Sequence, residues 1–414
     1  MNKEIVIIKK SETKLNIVNN KIEAVFKSTD SKTGLRIYDG EHIGIAGGIG
    51  KVDKKKLEEK AKDMLRFKIP YAVEPTKNAN KIVDLSNEFS LSDKEFHDIT
   101  SELLSKLEKN YPNFAFTESV SLIEIEESLE NDCNTNLKYR DKYIQLILTI
   151  KHKKSLNVFD GVIQNLARSY SLDETYQICS QSLDVFENKV EITDGEMLPI
   201  IFTDDSLISY FFQHLHGKLF AAGASIFKEK VGQKLFSDKF SLNINREPLS
   251  TMTRFFDGEG TTLENDKFFL IENGVIKSPF TSKKVAKSLN ISPSASSMLV
   301  YDAVPDITHE AIEIASSGKT LNELIGNQRA ILIEVAAGGD FTAQGEYSTP
   351  AQVAYLWENG KRVGRLPQIS LSSTVNELFG EHFIGKTTDG QHSNSPISKY
   401  SVFKMKVNRI GDHQ

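Results

Sequence analysis

The residues best able to bind a metal ion in this sequence are two neighbouring histidines, His214 and His216. Apolar side chains recur around them at positions 207, 208, 211, 212, 215 and 219, a spacing that predicts one continuous helix. Because a helix turns by about 100° per residue, residues two apart point roughly 200° from each other. The two imidazoles therefore cannot chelate one ion on a regular helix, and we expect surface or interface histidines. A metal site is the alternative, since in a strand both rings would share a face.

A second histidine, His309, precedes a glutamate, as the first histidine of a zinc-peptidase helix does. Such a helix needs another histidine four or five residues later, with the glutamate activating the metal-bound water. Glu313 and Ile314 occupy those positions, so the motif fails. The sequence has no G-x-S-x-G motif, and neither Cys133 nor Cys179 has a C-x-x-C neighbour. We therefore expect no catalytic residue, no bound metal and no cofactor.

Carboxylates are concentrated in the short segment Asp257-Gly258-Glu259-Gly260. Asp257 and Glu259 could bind a cation or a peptide amine, because ionised carboxylates accept several hydrogen bonds. The alternative is that both are solvated loop residues without a binding role. We interpret this segment as a candidate binding loop.

Two Asn-Gly pairs, Asn273-Gly274 and Asn359-Gly360, each follow a glutamate and separate two apolar runs. Asn-Gly readily adopts the positive φ angles of a type I′ turn, so both stretches predict tight hairpins. Asp39-Gly40 is a third two-residue hairpin signal, near the beginning of the chain. Further strands are predicted near 240–245, 330–337 and 400–408, and the second half of the chain therefore reads as β-rich.

Helices in the first half are marked by capping signals before apolar stripes. Asp53 precedes the first helix, and Ser92-Asp93-Lys94-Glu95 and Ser171-Leu172-Asp173-Glu174 precede two more. Long strands are predicted around 114–127 and 137–152. We predict an α+β fold with two domains. Residues 1–193 form an N-terminal α+β domain with helices packed on an antiparallel sheet, and residues 194–414 form a C-terminal β-rich domain with a barrel-like mixed sheet.

The amino-acid composition and the lengths of the apolar stretches fit a protein without a membrane span. Hydrophobic residues are 39% of the 414-residue chain, charged residues are 26%, and the net charge is −5. The longest apolar stretches are only as long as strands, and the first residues lack the apolar core of a signal peptide, so we expect a cytoplasmic protein. Without a basic block, direct nucleic-acid binding is not expected.

An ordered series of short motifs resembles the TldD/TldE (PmbA) family, often called modulators of DNA gyrase. The motifs of this series lie in the segments 34–40, 198–202 with the helix that follows, 255–261, 268–277, 337–341, 345–348 and 355–360. In that family the TldD type carries a helical H-E-x-x-x-H zinc motif and a late cysteine ligand, and it hydrolyses peptides. The TldE type lacks the zinc motif and pairs with a TldD-type subunit to enclose a substrate channel. Here the segment Gln213-His214-Leu215-His216-Gly217 lies where the zinc helix would be, and it has no His-Glu pair.

The resemblance implies a TldE-like, metal-free subunit of a cytoplasmic zinc metallopeptidase that processes or degrades unfolded peptides. Its expected partners are a TldD-type subunit, in a heterodimer, or a second copy, in a homodimer. Asp257, Glu259, Gly345, Glu346 and Tyr347 are the residues we expect to border the peptide cavity. Two alternatives stay open: a metallopeptidase in its own right, with an atypical metal site built from His214, His216 or the loop carboxylates, and a binding protein that modulates gyrase.

Overall fold

The computed structural model describes residues 1–410, and its N-terminal part is built on one large sheet. The strands of this sheet are β1 (Asn2–Val18), β2 (Lys21–Tyr38), β3 (Ile43–Ile49), β4 (Asn80–Asp84), β5 (Phe114–Asn131), β6 (Thr135–His152) and β7 (Gly161–Ala167). Their order is β3-β2-β1-β5-β6-β4, and β7 pairs with the part of β6 that β4 leaves uncovered. The β4–β6 pairing is parallel, and the other pairings of this sheet are antiparallel.

Three helices pack on this sheet, α1 (Lys54–Met64), α2 (Asp93–Asn110) and α3 (Leu172–Leu183). Asp53 and Ser171 each accept hydrogen bonds from the first turn of their helix, and Ser92 forms a full capping box with Glu95. The apolar faces of α2 and α3 contribute Phe96 and Ile178 to a core shared with the sheet. The predicted antiparallel sheet with packed helices is therefore confirmed.

The rest of the chain forms two further sheets, of four and eight strands, and short helices. Its strands are β8 (Glu196–Phe202), β9 (Leu242–Asn245), β10 (Lys267–Glu272), β11 (Val275–Ile276), β12 (Ile312–Ile314), β13 (Ala330–Ala336), β14 (Asp340–Phe341), β15 (Glu346–Glu358), β16 (Lys361–Arg365), β17 (Ile369–Thr374), β18 (Phe383–Gly390) and β19 (Lys399–Arg409). Its helices are α4 (Ser209–His214), α5 (Gly217–Ala222), α6 (Pro248–Thr251), α7 (Lys283–Leu289), α8 (Leu321–Ile325) and α9 (Val375–Leu378). The sheets thus divide between β7 and β8, the interval in which the predicted domain boundary at 193/194 falls.

Five strands of the C-terminal part close into a ring. The order is β13-β8-β19-β17-β15, and β15 returns to pair with β13. Only β8 and β13 run parallel within this ring, with Ile200 opposite Ile331. The predicted barrel-like mixed sheet is therefore confirmed. Since parallel strands end at the same edge, the carboxyl ends of β8 and β13 lie side by side.

The two Asn-Gly pairs form the tight turns predicted for them. Asn273 and Gly274 have φ angles of 49° and 77°, and Asn359 and Gly360 have 51° and 76°. Positive φ at both central positions defines a type I′ turn, so both predictions are confirmed. Asp39-Gly40, in contrast, is not a two-residue hairpin, because residues 39–42 separate β2 from β3. The Asp39 carboxylate accepts hydrogen bonds from two backbone N–H groups of this longer connection.

The continuous helix predicted across His214 and His216 is wrong. It is broken between α4 and α5, where His216 adopts an extended conformation with φ −69° and ψ 121°. The cause is a short parallel bridge to Phe280, whose N–H donates to the Leu215 carbonyl and whose carbonyl accepts from the Gly217 N–H. A side chain at Gly217 would come within 2.8 Å of that carbonyl, so glycine permits the close approach.

The two parts of the chain are joined by an apolar cluster. Val6, Leu129 and Tyr139 of the first sheet pack against Phe255 and Phe256 of the C-terminal part. Within residues 1–410, no helix combines the length and the hydropathy that a membrane crossing requires.

Candidate functional site

The two histidines of the broken helix have different neighbours. The His214 ring lies 4.4 Å from the ring of Tyr210, and burial lowers the pKa of His214. His216 caps α5, because its Nδ1 accepts the Lys218 N–H at 3.2 Å, and its ring packs 5.3 Å from Phe280. Since that lone pair of His216 is already used by the backbone, this nitrogen cannot also bind a metal ion.

The side chains of this chain do not fit a zinc site of the TldD type. Among residues 1–410, no three His, Cys, Asp or Glu side chains converge in a way that could hold a metal ion. The His-Glu pair at His309 lies just before β12 rather than on a helix, and its imidazole stacks 4.4 Å from Phe212.

Asp257 organises its own loop from a fully buried position. Its Oδ1 accepts the N–H groups of Glu259 and Thr261 at 2.9 and 2.8 Å, and its Oδ2 accepts the Ser297 N–H at 3.0 Å. These bonds satisfy the carboxylate internally, which explains how an acid is tolerated at a position without solvent.

Glu259 is 3% exposed and lies between the two parts of the chain. One carboxylate oxygen accepts the hydroxyl of Tyr71, and the other accepts the Lys283 N–H at the start of α7, at 2.7 Å. Burial, reinforced by the charge of Asp257, raises the pKa of Glu259 to about 7. Contact of either carboxylate with a peptide requires this loop to move, and the binding role of Asp257 and Glu259 stays a prediction.

The segment Gly345-Glu346-Tyr347 occupies a different neighbourhood. Gly345 takes a φ of 85° in the turn before β15, and Glu346 is exposed. The Tyr347 ring is buried 4.8 Å from Phe341, which in turn lies 5.2 Å from Tyr210, the neighbour of His214. The segment therefore adjoins the region of His214, and its hydrogen bonds and ring contacts involve different residues from those of the Asp257 loop. Its part in substrate binding also stays a prediction.

A cavity of about 560 Å³ lies where the first sheet meets the barrel. One wall is formed by β6 and β7, and the other by the carboxyl ends of β8 and β13 together with residues 391–399. Its polar lining includes Asp204, Asp205, Glu334, Lys386 and His392. A cavity of this size falls within the range of ligand-binding pockets.

Charge in this cavity is partly compensated by one ion pair. Lys386 pairs with Asp205, with side chains that are 9% and 15% exposed, and Ser401 donates a hydrogen bond to the same carboxylate at 2.5 Å. Asp204 is exposed and receives the Ser206 N–H at 3.0 Å. Three carboxylates and two lysines line the cavity, which leaves an excess of acid.

The outer edge of β7 faces this region. The Gln164 carbonyl lies 2.6 Å from His392 Nε2, and the Leu166 carbonyl accepts a hydrogen bond from Ser395 at 2.7 Å. The N–H and C=O groups of one strand residue point to the same side. The N–H groups of Gln164 and Leu166 are thus directed away from β6, towards the side from which His392 and Ser395 already bond the carbonyls of the same two residues.

The sequence analysis does not predict these cavity residues. Glu334 carries a usable signal, because it is an acid inside the otherwise apolar run 330–337. His392 carries no such signal in the sequence, since its neighbours along the chain are polar. Only the folded structure brings it into contact with β7. The strand β7 itself is also absent from the prediction.

A model of the PmbA/TldA metallopeptidase C-terminal domain matches residues 195–405. A protein named metalloprotease from Archaeoglobus fulgidus is 26% identical over 222 residues, which are 52% of this chain and 51% of that protein. The chain thus aligns with about half the length of this curated relative.

Three solved structures share the fold over nearly their whole length. TldE from Thermococcus kodakarensis has a TM-score of 0.79 at 17% identity, covering 98% of this chain and 96% of that one. A putative modulator of DNA gyrase from Thermotoga maritima scores 0.78 at 18% identity, with the same coverages. Another from Bacteroides thetaiotaomicron scores 0.76 at 15% identity, covering 99% and 95%. At these identities the similarity establishes the fold alone.

The shared fold and the match to the metallopeptidase C-terminal domain together define this chain as a metallopeptidase-related protein. Because the matched domain occupies more than half of the chain, the protein belongs to the TldD/TldE (PmbA) family.

Proposed function

We propose that this chain is the TldE-like, non-catalytic subunit of a TldD/TldE-type zinc metallopeptidase and helps to hold unfolded peptides. One observation carries the proposal. In this family member, the segment between β8 and α5 offers two histidines that are engaged by different neighbours, and one of them caps a helix. A side-chain set of this kind suits a supporting subunit rather than a zinc-binding one.

The cavity beside β7 supports the peptide part of the proposal. A peptide segment in this cavity would accept hydrogen bonds from the N–H groups of Gln164 and Leu166, whose carbonyls are already bonded by His392 and Ser395. Apolar side chains of Leu146, Val162 and Ile397 line the same space and offer sites for its side chains. Recognition through main-chain bonds tolerates many sequences, as the handling of unfolded peptides requires.

Mixing the purified chain with a TldD-type zinc subunit tests the partnership. Size-exclusion chromatography with light scattering should show a complex of one copy of each, and the zinc should remain with the TldD-type chain. Two separate peaks at micromolar concentrations would contradict the proposal.

Peptide binding is tested in the same preparation by fluorescence anisotropy with an unstructured octapeptide. Val162→Pro removes an N–H from the outer edge of β7 and should weaken binding. Val25→Pro makes the same change on the exposed part of β2, far from the cavity, and should leave binding unchanged. Equal weakening by both variants would argue against this location.

A further inference from the structure

The outer edge of β2 is uncovered over much of its length. β3 pairs with β2 only from Lys32 to Tyr38, and β1 occupies the opposite edge. Within residues 1–410, no segment other than β1 forms a hydrogen bond to the backbone of residues 24–30. Every side chain from Val25 to Asp30 is exposed. A free strand edge of this kind is a template on which another strand can pair.

The backbone groups of this edge point into solvent at every second residue. Ser31 identifies the side, because its carbonyl accepts the Gly50 N–H just beyond β3. The pairing of β2 with β1 is regular from Ala24 to Tyr38, so the direction of the backbone groups alternates without interruption. The N–H and C=O groups of Val25, Lys27 and Thr29 therefore point to the same side as those of Ser31, away from β1.

Two large apolar side chains stand in the middle of this edge. Val25 is 49% exposed and Phe26 is 58% exposed, and neighbours along a strand lie on opposite faces of the sheet. Val25 lies opposite Leu15, on the face that packs against α2, and Phe26 lies on the other face. An edge lysine commonly repels a further strand, but Lys27 is paired with Asp93. The middle of the edge is thus apolar on both faces and has no uncompensated charge.

We propose that the free edge of β2 pairs antiparallel with the same edge of a second copy of this chain, around a twofold axis at Phe26. The backbone groups of Phe26 point towards β1, so the two Phe26 residues form a non-hydrogen-bonded pair, in which facing side chains are closest. Val25 of each copy then lies opposite Lys27 of the other. Their outward N–H and C=O groups exchange hydrogen bonds on both sides of the axis.

Other registers of the same pairing are less favourable. An axis at Lys27 places two ammonium groups opposite each other, and an axis at Val25 places each Phe26 opposite the small Ala24. One short strand per copy is a small interface, so we expect a dissociation constant of about 10–100 μM. At the micromolar concentrations of the mixing experiment the chain is then a monomer. None of these residues lines the cavity beside β7, so the inference is independent of the proposed function.

Sedimentation equilibrium of the full chain tests the pairing over a range of concentrations. The average mass should rise from that of a monomer towards that of a dimer. Phe26→Ser should raise the dissociation constant by about 10-fold or more, because each copy loses a buried ring. Ile82→Ser, which changes a 62% exposed side chain on β4, is the matched control and should have no effect. A monomer mass at all concentrations, or an equal effect of the two variants, would overturn the inference.

Cysteine cross-linking tests the register. Both variants carry Cys133→Ser, since the remaining Cys179 is buried. Phe26→Cys places the two Cα atoms about 4.5 Å apart across the axis, within the range of a disulfide, so oxidation should give a covalent dimer. The two copies of Thr29→Cys lie six positions apart along the strands, about 20 Å, and should stay monomeric. Equal yields of covalent dimer, or a dimer from Thr29→Cys alone, would contradict the axis at Phe26.

Discussion

Arg36 donates a hydrogen bond to Glu4 at 2.9 Å, with side chains that are only 1% and 0% exposed. The same guanidinium donates to the carbonyls of Gly258 and Val300, at 2.6 and 2.8 Å. One buried ion pair of the first sheet thus holds two loops of the C-terminal part. The loop that carries Asp257 and Glu259 is therefore fixed in position by the N-terminal sheet.

Removing the charge of Glu4 should destabilise the whole chain. Glu4→Gln leaves Arg36 buried without a counter-charge, and we expect the free energy of unfolding to fall by about 3–5 kcal/mol. Lys27→Met, which breaks an exposed ion pair with Asp93, should cost at most about 1 kcal/mol. Urea unfolding followed by circular dichroism measures both, and similar losses for the two variants would contradict this account.

Glu259 should make the stability depend on pH near neutrality. Its pKa is raised from an ordinary 4.5 to about 7, so between these values the folded chain keeps a proton that the unfolded chain releases. Stability from this group is therefore lost as the pH rises through that window, by roughly 3 kcal/mol at most.

The check is the unfolding free energy of the unmodified chain and of Glu259→Gln between pH 5 and pH 8. The unfolding free energy of Glu259→Gln should increase relative to that of the unmodified chain as the pH rises. Glu124→Gln, at an exposed position, should follow the unmodified chain throughout. Parallel profiles for the unmodified chain and Glu259→Gln would show that this carboxyl does not titrate in the window.

The two Asn-Gly hairpins form a matched pair for a backbone test. Gly274 and Gly360 have φ angles of 77° and 76°, but a Cβ at Gly274 would meet the Phe236 carbonyl at 2.1 Å, whereas one at Gly360 would meet nothing within 4 Å. Gly360→Ala should cost about 1–2 kcal/mol of left-handed strain. Gly274→Ala should cost about 1–3 kcal/mol more, because the backbone of residue 236 must move. Equal urea midpoints for the two variants would contradict the packing described for Gly274.

These hairpins also show what the sequence predicts well. The type I′ turn is decided by the residues at its two central positions, so local chemistry is sufficient. The break at His216 is decided by Phe280, 64 positions away, and no local signal competes with the helical spacing of its apolar neighbours. Tertiary contacts overrode the local preference there.

The cavity beside β7 could not be predicted from the sequence for the same reason. Gln164, Glu334 and His392 are far apart along the chain, and only the meeting of β7 with the barrel brings them to one place. The domain pattern and the family resemblance, in contrast, depended on ordered local motifs, and the barrel-like sheet and the family were both predicted correctly.

Metal content separates the proposed function from a metallopeptidase with an atypical site. Chain purified without chelator should contain far less than one zinc per molecule by mass spectrometry, and His214→Ala should not change this. His97→Ala, on the exposed side of α2, is the control. One ion per chain that disappears with His214→Ala and persists with His97→Ala would make this chain the catalytic one.

The central claim, that this chain supports a catalytic partner, is tested most directly by peptide hydrolysis. Cleavage of an unfolded peptide is measured in three samples. The first contains a TldD-type zinc subunit alone, the second contains that subunit together with this chain, and the third contains this chain alone. We predict that addition raises the rate up to an equimolar ratio and that the chain alone cleaves nothing. Cleavage by the chain alone, or an unchanged rate on addition, would contradict the account.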